Sequence, residues 1–364
     1  MVTGIGAEPP AAGVGKPSAA DSPRFPGAQW TVTTPRSVGM NAEALDALGR
    51  FVGGNGCVIR HGFLAFSWGD PTRSGDVASA MKPVLSLLLL LSIQEGRVGS
   101  VDEPVARFEP RLESLNDGKD SRITWRHLAS QTSGYGLAEA PGAAYAYNDY
   151  AIALYYDTLM QGVFRTNGTA VFESRLARPL QFQDRFTFEA FGPRDRPGRL
   201  AVSVRDFARI GWLVLRGGTW NGTVVVDPVL LQRMISSPVD PQLPLTAGRE
   251  AAMLPGQRTL GGTRNITPVG PGCYSFNWWL NRPDAAGRRL FVDAPADAIV
   301  ASGHGGRRML WILPTLDLVV CWNDSGIDDH DRSPGNPESR CNQAVRLLLQ
   351  AVGAPGGDSG RNED

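Results

Sequence analysis

The stretch SAMKPVLSLLLLLSIQEGRV, residues 79–98, sets a serine and a lysine three positions apart directly before a run of leucines. The apolar part, Val84 to Ile93, is about half of the roughly 20 residues that a bilayer span needs, so it reads as a buried helix and not as a membrane segment. Pro83 suits a first helical turn and would damage an interior, so the helix is expected to begin close to Ser79 and to end near Gly96. Positions i and i+3 share a helix face, which can bring Ser79 Oγ and Lys82 Nζ within hydrogen-bond reach. Ser79 would then stand at the positive end of the helix, where unpaired backbone N–H groups can serve an anionic intermediate.

Composition sharpens the meaning of that lysine. The chain has 364 residues with 36 basic and 36 acidic side chains, a net charge of +0 and a pI near 6.9. That balance argues against nucleic acid or an anionic membrane as a partner and leaves small molecules or other proteins. Among the basic residues only Lys16, Lys82 and Lys119 are lysines. Arginine cannot give up its proton in a protein, whereas a partly buried lysine can act as a base or shuttle a proton. With 23 serines, about 0.2 SxxK tetrapeptides are expected by chance, so the motif alone does not decide between a catalytic pair and a coincidence on a helix surface.

The four cysteines, Cys57, Cys273, Cys321 and Cys341, form no CxxC, so neither a zinc ribbon nor a disulfide scaffold is indicated and they read as buried thiols. The acidic run NDSGIDDHDR, 323–332, lacks regular ligand spacing and reads as a solvated loop; no metal and no cofactor is expected. Residues 1–36, rich in Ala, Gly and Pro, read as a disordered or loosely attached tail, as do residues 354–364. The first residues carry no basic region followed by an apolar run, so a cytoplasmic protein is expected.

The segments SVGMNAEALDALGRFVGG and GCVIRHGFLAFSWGD read as a helix and then a hairpin turning at His61-Gly62. Helical text dominates from residue 76 to 264: ITWRHLASQTSGYG as a helix entering a glycine-rich loop, then YAIALYYDTLM and SVRDFARIGWLVLRGG. Strand-like text returns in CYSFNWWLN, AIVASGHGG, RRMLWILPT and LDLVVCWN, before a last helix in ESRCNQAVRLLLQAVG. The expected fold class is α/β (α+β): an antiparallel sheet built from residues 37–75 and 265–353 and flanked by helices, with residues 76–264 as a mostly helical insertion domain. A site is expected in the cleft between the two parts.

Two further segments could complete the chemistry. In YAYNDY, residues 145–150, a tyrosine close to a lysine could accept the serine proton, while most tyrosines there would simply pack. In ASGHGGRRML, glycines beside His304 would let a ligand approach the backbone, although a lone histidine is commonly structural. Tyr145, Trp278 and Trp279 are candidates to line an apolar acyl pocket, with core packing as the competing use. No serine lies in GxSxG, which argues against the nucleophile elbow of α/β-hydrolases.

Taken in order, these segments resemble the serine β-lactamase and penicillin-binding-protein-like superfamily, in particular its class C-like esterase, amidase and transacylase branch. The resemblance spans roughly residues 37–352. It rests on Ser79-Ala-Met-Lys82 as SxxK, on ITWRHLASQTSG where relatives write ITLRHLLSHTSG, and on Tyr147-Asn148-Asp149 in the Tyr-x-Asn position. It also includes SVRDFARIGWLVLRGGTWNG after the insertion and His304-Gly305-Gly306 in the Lys-Thr-Gly position. Nylon-oligomer hydrolases and small-molecule acyltransferases are more similar than true β-lactamases. The resemblance implies an acyl-enzyme on Ser79, with Lys82 and Tyr147 moving the proton, and an oxyanion held by the backbone N–H groups of Ser79 and Arg307. His304, Gly306 and Asp149 would support them.

The implied substrate is a small-molecule ester or amide, with water or an amine or alcohol as acyl acceptor. Asp149, His304 and Gly305 replace groups that bind an anionic antibiotic, so β-lactamase or D-alanyl-D-alanine carboxypeptidase activity is not the expected main role. A noncatalytic ligand-binding or sensor domain is the alternative of a different class.

Overall fold

Strands from the two ends of the chain meet in one sheet. The computed structural model describes residues 24–189, 199–256, 269–329 and 335–353. The expected tail 354–364, residues 1–23, His330 and the proposed boundary at 264/265 lie outside them. The strands are β1 (Asn55–Arg60), β2 (Phe63–Trp68), β3 (Gly75–Asp76), β4 (Thr187–Glu189), β5 (Arg199–Val202), β6 (Thr219–Trp220), β7 (Thr223–Val224), β8 (Tyr274–Ser275), β9 (Trp278–Leu280), β10 (Ile299–Gly303), β11 (Arg308–Leu313) and β12 (Leu318–Asn323). The helices are α1 (Ala42–Val52), α2 (Lys82–Gln94), α3 (Trp125–Ala129), α4 (Asp149–Asp157), α5 (Gly168–Phe172), α6 (Val204–Leu215), α7 (Pro228–Ser236) and α8 (Arg340–Gly353).

Seven strands form an antiparallel sheet in the order β2-β1-β12-β11-β10-β9-β8. Pairing of β1 with β12, in the register Cys57↔Cys321 and Val58↔Val320, closes the early hairpin onto the late strands. Side chains alternate along these strands. Cys57, Ile59, Ala301, Leu310, Ile312 and Cys321 turn to the core shared with α2 and α6. Val58, Val300, Met309, Trp311, Val320 and Trp322 turn to the core shared with α1 and α8. No helix of the described residues is long and apolar enough to cross a membrane.

The leucine run is the buried helix α2, in which every residue from Lys82 to Ser92 is buried. A helix that is apolar all round needs neighbours on every side, and the sheet and the helices of the insertion supply them. The insertion is not helical throughout. Strand β3 pairs with β5, and β5 with β4, in a small sheet that places Asp76 and Arg199 next to the turn carrying Ser79.

Residues 24–36, read from sequence as part of a loose tail, are fastened to the body. Trp212 Nε1 donates to Arg24 O (3.0 Å), Arg209 Nη1 to Gly27 O (3.0 Å) and Trp30 Nε1 to Arg205 O (2.8 Å). Val32 bridges to Leu64 beside β2. The Ala, Gly and Pro composition concealed two anchors, the buried Trp30 and a string of backbone carbonyls that satisfy the buried Arg209.

Candidate active site

Ser79 lies in a single 3-10 turn, Ala78–Met81, that leads directly into α2. The residue before it, Ala78, has φ 48°, a left-handed conformation that costs a residue with a Cβ about 1–3 kcal/mol. The strain is held by Asp76. Its Oδ1 accepts the Ala78 N–H (2.9 Å) and Arg199 Nε (3.0 Å), while its carbonyl accepts Arg308 Nε (2.8 Å). Burial and the neighbouring Arg308 guanidinium lower Arg199 to about 10, so Asp76 sits between two crowded cations. Nothing local in the sequence marks these three residues, because 232 positions separate Arg308 from Asp76.

One nitrogen organises the centre. Lys82 Nζ donates to Ser79 Oγ at 2.7 Å and to the Tyr147 hydroxyl oxygen at 2.7 Å. It also forms an ion pair with Asp149 Oδ1 at 3.0 Å, at an angle poor for a hydrogen bond. Ser79 is half-buried, while the side chains of Lys82 and Asp149 are 1% and 4% exposed. Burial pulls the lysine pKa down, but the Asp149 carboxylate and Tyr147 outweigh it and leave Lys82 above its ordinary value. Asp149 is therefore a direct partner of the lysine, a contact that the sequence reading, which gave it only a supporting role, did not identify.

Tyr147 is fixed from both sides. The Ala146 N–H donates to Gln131 O (2.9 Å), and the Asn148 N–H donates to Gln131 Oε1. Asn148 caps α4 by accepting from the N–H groups of Tyr150 and Ala151, and its Nδ2 donates to Tyr135 O (2.8 Å). The Tyr147 ring lies near-parallel to Trp279 and edge-on to Tyr274. Gln131, at φ 60° in the loop after α3, is a positioning residue missed from sequence; its place in ASQTSG was the available signal.

Strand β10 runs its end against the serine turn. A Cβ on Gly303 would meet Val77 O at 2.6 Å, Ala80 N at 3.0 Å and Ser79 N at 3.2 Å, so only glycine fits this approach. The segment beyond it turns away. The Arg307 N–H, the expected second oxyanion donor, donates to His304 O at 3.1 Å and closes the turn between β10 and β11. Gly306, at φ 92°, is buried against Cys341 and Ile327, and its carbonyl accepts Trp322 Nε1 (2.8 Å). His304 is exposed at the tip, at φ 49°.

The expected substrate-lining aromatics do not present themselves to solvent. Tyr145 and Trp278 are 0% exposed and Trp279 is 2% exposed. Burial raises the Tyr145 and Tyr274 hydroxyls well above their ordinary values. Tyr145, Tyr274 and Trp279 form the wall behind Tyr147, while Trp278 turns to the core shared with α2; aromatic-rich text does not distinguish such a wall from an open pocket.

A turn-held serine, a buried lysine and a tyrosine at the junction of an antiparallel sheet and a largely helical insertion define the class of protein. The sequence matches the Beta-lactamase family over residues 41–323, and the chain belongs to that family. Esterase EstB of Burkholderia gladioli is 32% identical over 111 residues, covering 26% of this chain and 28% of its own length; this chain thus spans less than a third of that relative. A putative β-lactamase of Bacteroides dorei superposes with a TM-score of 0.63 at 17% identity over 86% of this chain and 100% of its own. EstCE1, described as a hydrolase with promiscuous acyltransferase activity, superposes at 0.57 with 16% identity, over 87% of this chain and 97% of its own.

Proposed function

We propose that the protein is a serine hydrolase or acyltransferase that forms an acyl-enzyme on Ser79 from a small-molecule ester or amide and passes the acyl group to water, an amine or an alcohol. The observation that carries this reading is Lys82 Nζ at 2.7 Å from both Ser79 Oγ and the Tyr147 hydroxyl. As Oγ attacks the carbonyl carbon, its proton passes to the hydrogen-bonded Lys82–Tyr147 pair, which enters the step one proton short of ammonium plus phenol and so has a site to receive it. The same path then returns a proton to the leaving alcohol or amine. The esterase relative and the acyltransferase activity described for EstCE1 fit this chemistry.

The oxyanion falls to the Ser79 N–H, in the turn that leads into α2. Such a donor is worth about 3 kcal/mol to the transition state.

A p-nitrophenyl acyl ester tests the reading. The wild-type protein is expected to release a burst of p-nitrophenol close to one equivalent, and Ser79→Ala to show neither burst nor turnover. An added amine should divert part of the acyl group to amide. Retained turnover in Ser79→Ala sinks the serine assignment, and free acid as the only product at high amine concentration counts against transfer.

A further inference from the structure

We propose that Lys119 is a positioning residue: its ammonium is a tethered cation in a cage of backbone carbonyls, and the cage fixes the loop on which Tyr147 rests. The proposal rests on the acyl-enzyme reading and adds to it a residue that touches none of the reacting groups. Lys119 opens the 3-10 turn Lys119–Arg122 that precedes α3, and the carbonyls belong to the loop that follows α3.

The geometry is that of a cation site. Lys119 Nζ donates to Gly134 O (2.7 Å), Leu137 O (2.8 Å) and Glu139 O (3.3 Å), which uses all three N–H donors of an ammonium. Asp120 Oδ1 lies 3.3 Å from Nζ and supplies the opposite charge, while its other oxygen accepts from Asn116 Nδ2. The Lys119 side chain is 13% exposed and that of Asp120 0%. Carbonyl oxygens that converge on one point repel one another and have lost their water, so a cation must stand among them. Gly134, at φ 62°, makes the convergence sterically possible, because a Cβ there would collide with the Glu139 carbonyl oxygen. A compact ammonium fits the centre of such a set and a planar guanidinium fork does not. That is a reason for a lysine here, in a chain whose basic residues are otherwise nearly all arginine.

The caged loop carries the anchor of the segment that holds Tyr147. Tyr135, between the caged Gly134 and Leu137, accepts Asn148 Nδ2 at its carbonyl (2.8 Å), and its hydroxyl accepts the Leu254 N–H (3.0 Å). Asn148 is the chain neighbour of both Tyr147 and Asp149 and caps α4. If the carbonyls of 134, 137 and 139 spread apart, Tyr135 O moves with them and Asn148 loses its anchor. The Tyr147 hydroxyl then leaves its 2.7 Å contact with Lys82 Nζ. A misplacement of about 1 Å at such a point costs about 100-fold in rate.

Truncation to alanine empties the cage and leaves room for a free cation, so potassium is the probe. The burst of p-nitrophenol from a p-nitrophenyl acyl ester reports acylation alone. In tetramethylammonium chloride, Lys119→Ala is expected to give a burst of near-full amplitude at a rate about 100-fold below wild type. Potassium chloride at equal ionic strength should raise that rate about 10-fold or more, since potassium is held by such carbonyls, and wild type should respond to neither salt. Lys119→Arg, which keeps the charge without the compact head, should be slow in both. A loss of amplitude in place of rate would show a fold-wide role and overturn the proposal. So would a wild-type rate in Lys119→Ala or Lys119→Arg, or a slow Lys119→Ala that potassium does not quicken. A Lys119→Ala that fails to fold leaves Lys119→Arg to decide: a slow burst of full amplitude supports the cage, and a wild-type rate overturns it. Absence of any burst in wild type would instead reject the acyl-enzyme reading, while a Lys119→Ala Tm raised by potassium, and not by tetramethylammonium, still reports on the cage.

Discussion

Gly303 shows how tightly the reactive serine is held. Its Cα faces the Val77 carbonyl and the Ser79 and Ala80 amides so closely that a methyl group would sit 2.6 Å from an oxygen. Gly303→Ala must therefore push β10 or the serine turn aside by a fraction of an ångström. A misplacement of that order costs about 100-fold in rate, and the overpacking costs about 1–3 kcal/mol in stability. Acylation of Ser79 in Gly303→Ala is expected to slow about 100-fold while the variant still melts cooperatively; wild-type acylation would show that the approach is unimportant. Ser79 and Lys82 were readable because their relationship is local, three positions on one helix. Asp149 was visible as a departure from a pattern, yet its contact with a lysine 67 positions away depends on how α2 and α4 pack. The setting of Arg307 was not legible for a related reason: the strand stops at Gly303, and turn glycines in the text do not reveal where the ladder ends.

At the scale of elements, α2 is both core and mount. Its leucines are buried in the core shared by the insertion and the sheet, and its first residue is the lysine of the site. Leu88 is 0% exposed, and its truncation to Ala should cost about 2–5 kcal/mol through lost transfer energy and a cavity. Denaturant unfolding of Leu88→Ala is expected to show that loss while burst size per folded molecule stays near wild type, because Leu88 does not touch the triad of side chains. A change below about 1 kcal/mol would mean that the helix is less tightly packed than its burial implies. Element types were largely legible, since periods of two and of 3.6 residues alternate clearly along the chain. The small sheet β3-β5-β4 was not, because strands of two to four residues carry too little periodicity to register.

Across the whole molecule, burial keeps the thiols and phenols of the core in their neutral forms. Burial raises Cys57 and Cys321 above the ordinary thiol value of 9.0, pushes Cys273 up to about 12, and raises Tyr135, Tyr145, Tyr155 and Tyr274 above 10.0. In the unfolded chain these groups ionise near their ordinary values, so the stability tied to their neutral forms is complete below about pH 9 and is lost as pH rises beyond it. Lys82, also raised, contributes stability that is complete below 10.5 and is lost above it. Thermal melts are therefore expected to show Tm falling steadily from about pH 9 to pH 11; a Tm unchanged to pH 11 would contradict the burial of these groups. The proposed function places the reactive group at the half-buried Ser79 hydroxyl. The most direct measurement is intact-mass and peptide-mapping mass spectrometry after a brief exposure to a p-nitrophenyl acyl ester. The expected result is one acyl group per molecule on the peptide containing Ser79 in wild type and none in Ser79→Ala; equal labelling of the two, or an adduct confined to another residue, would contradict the account.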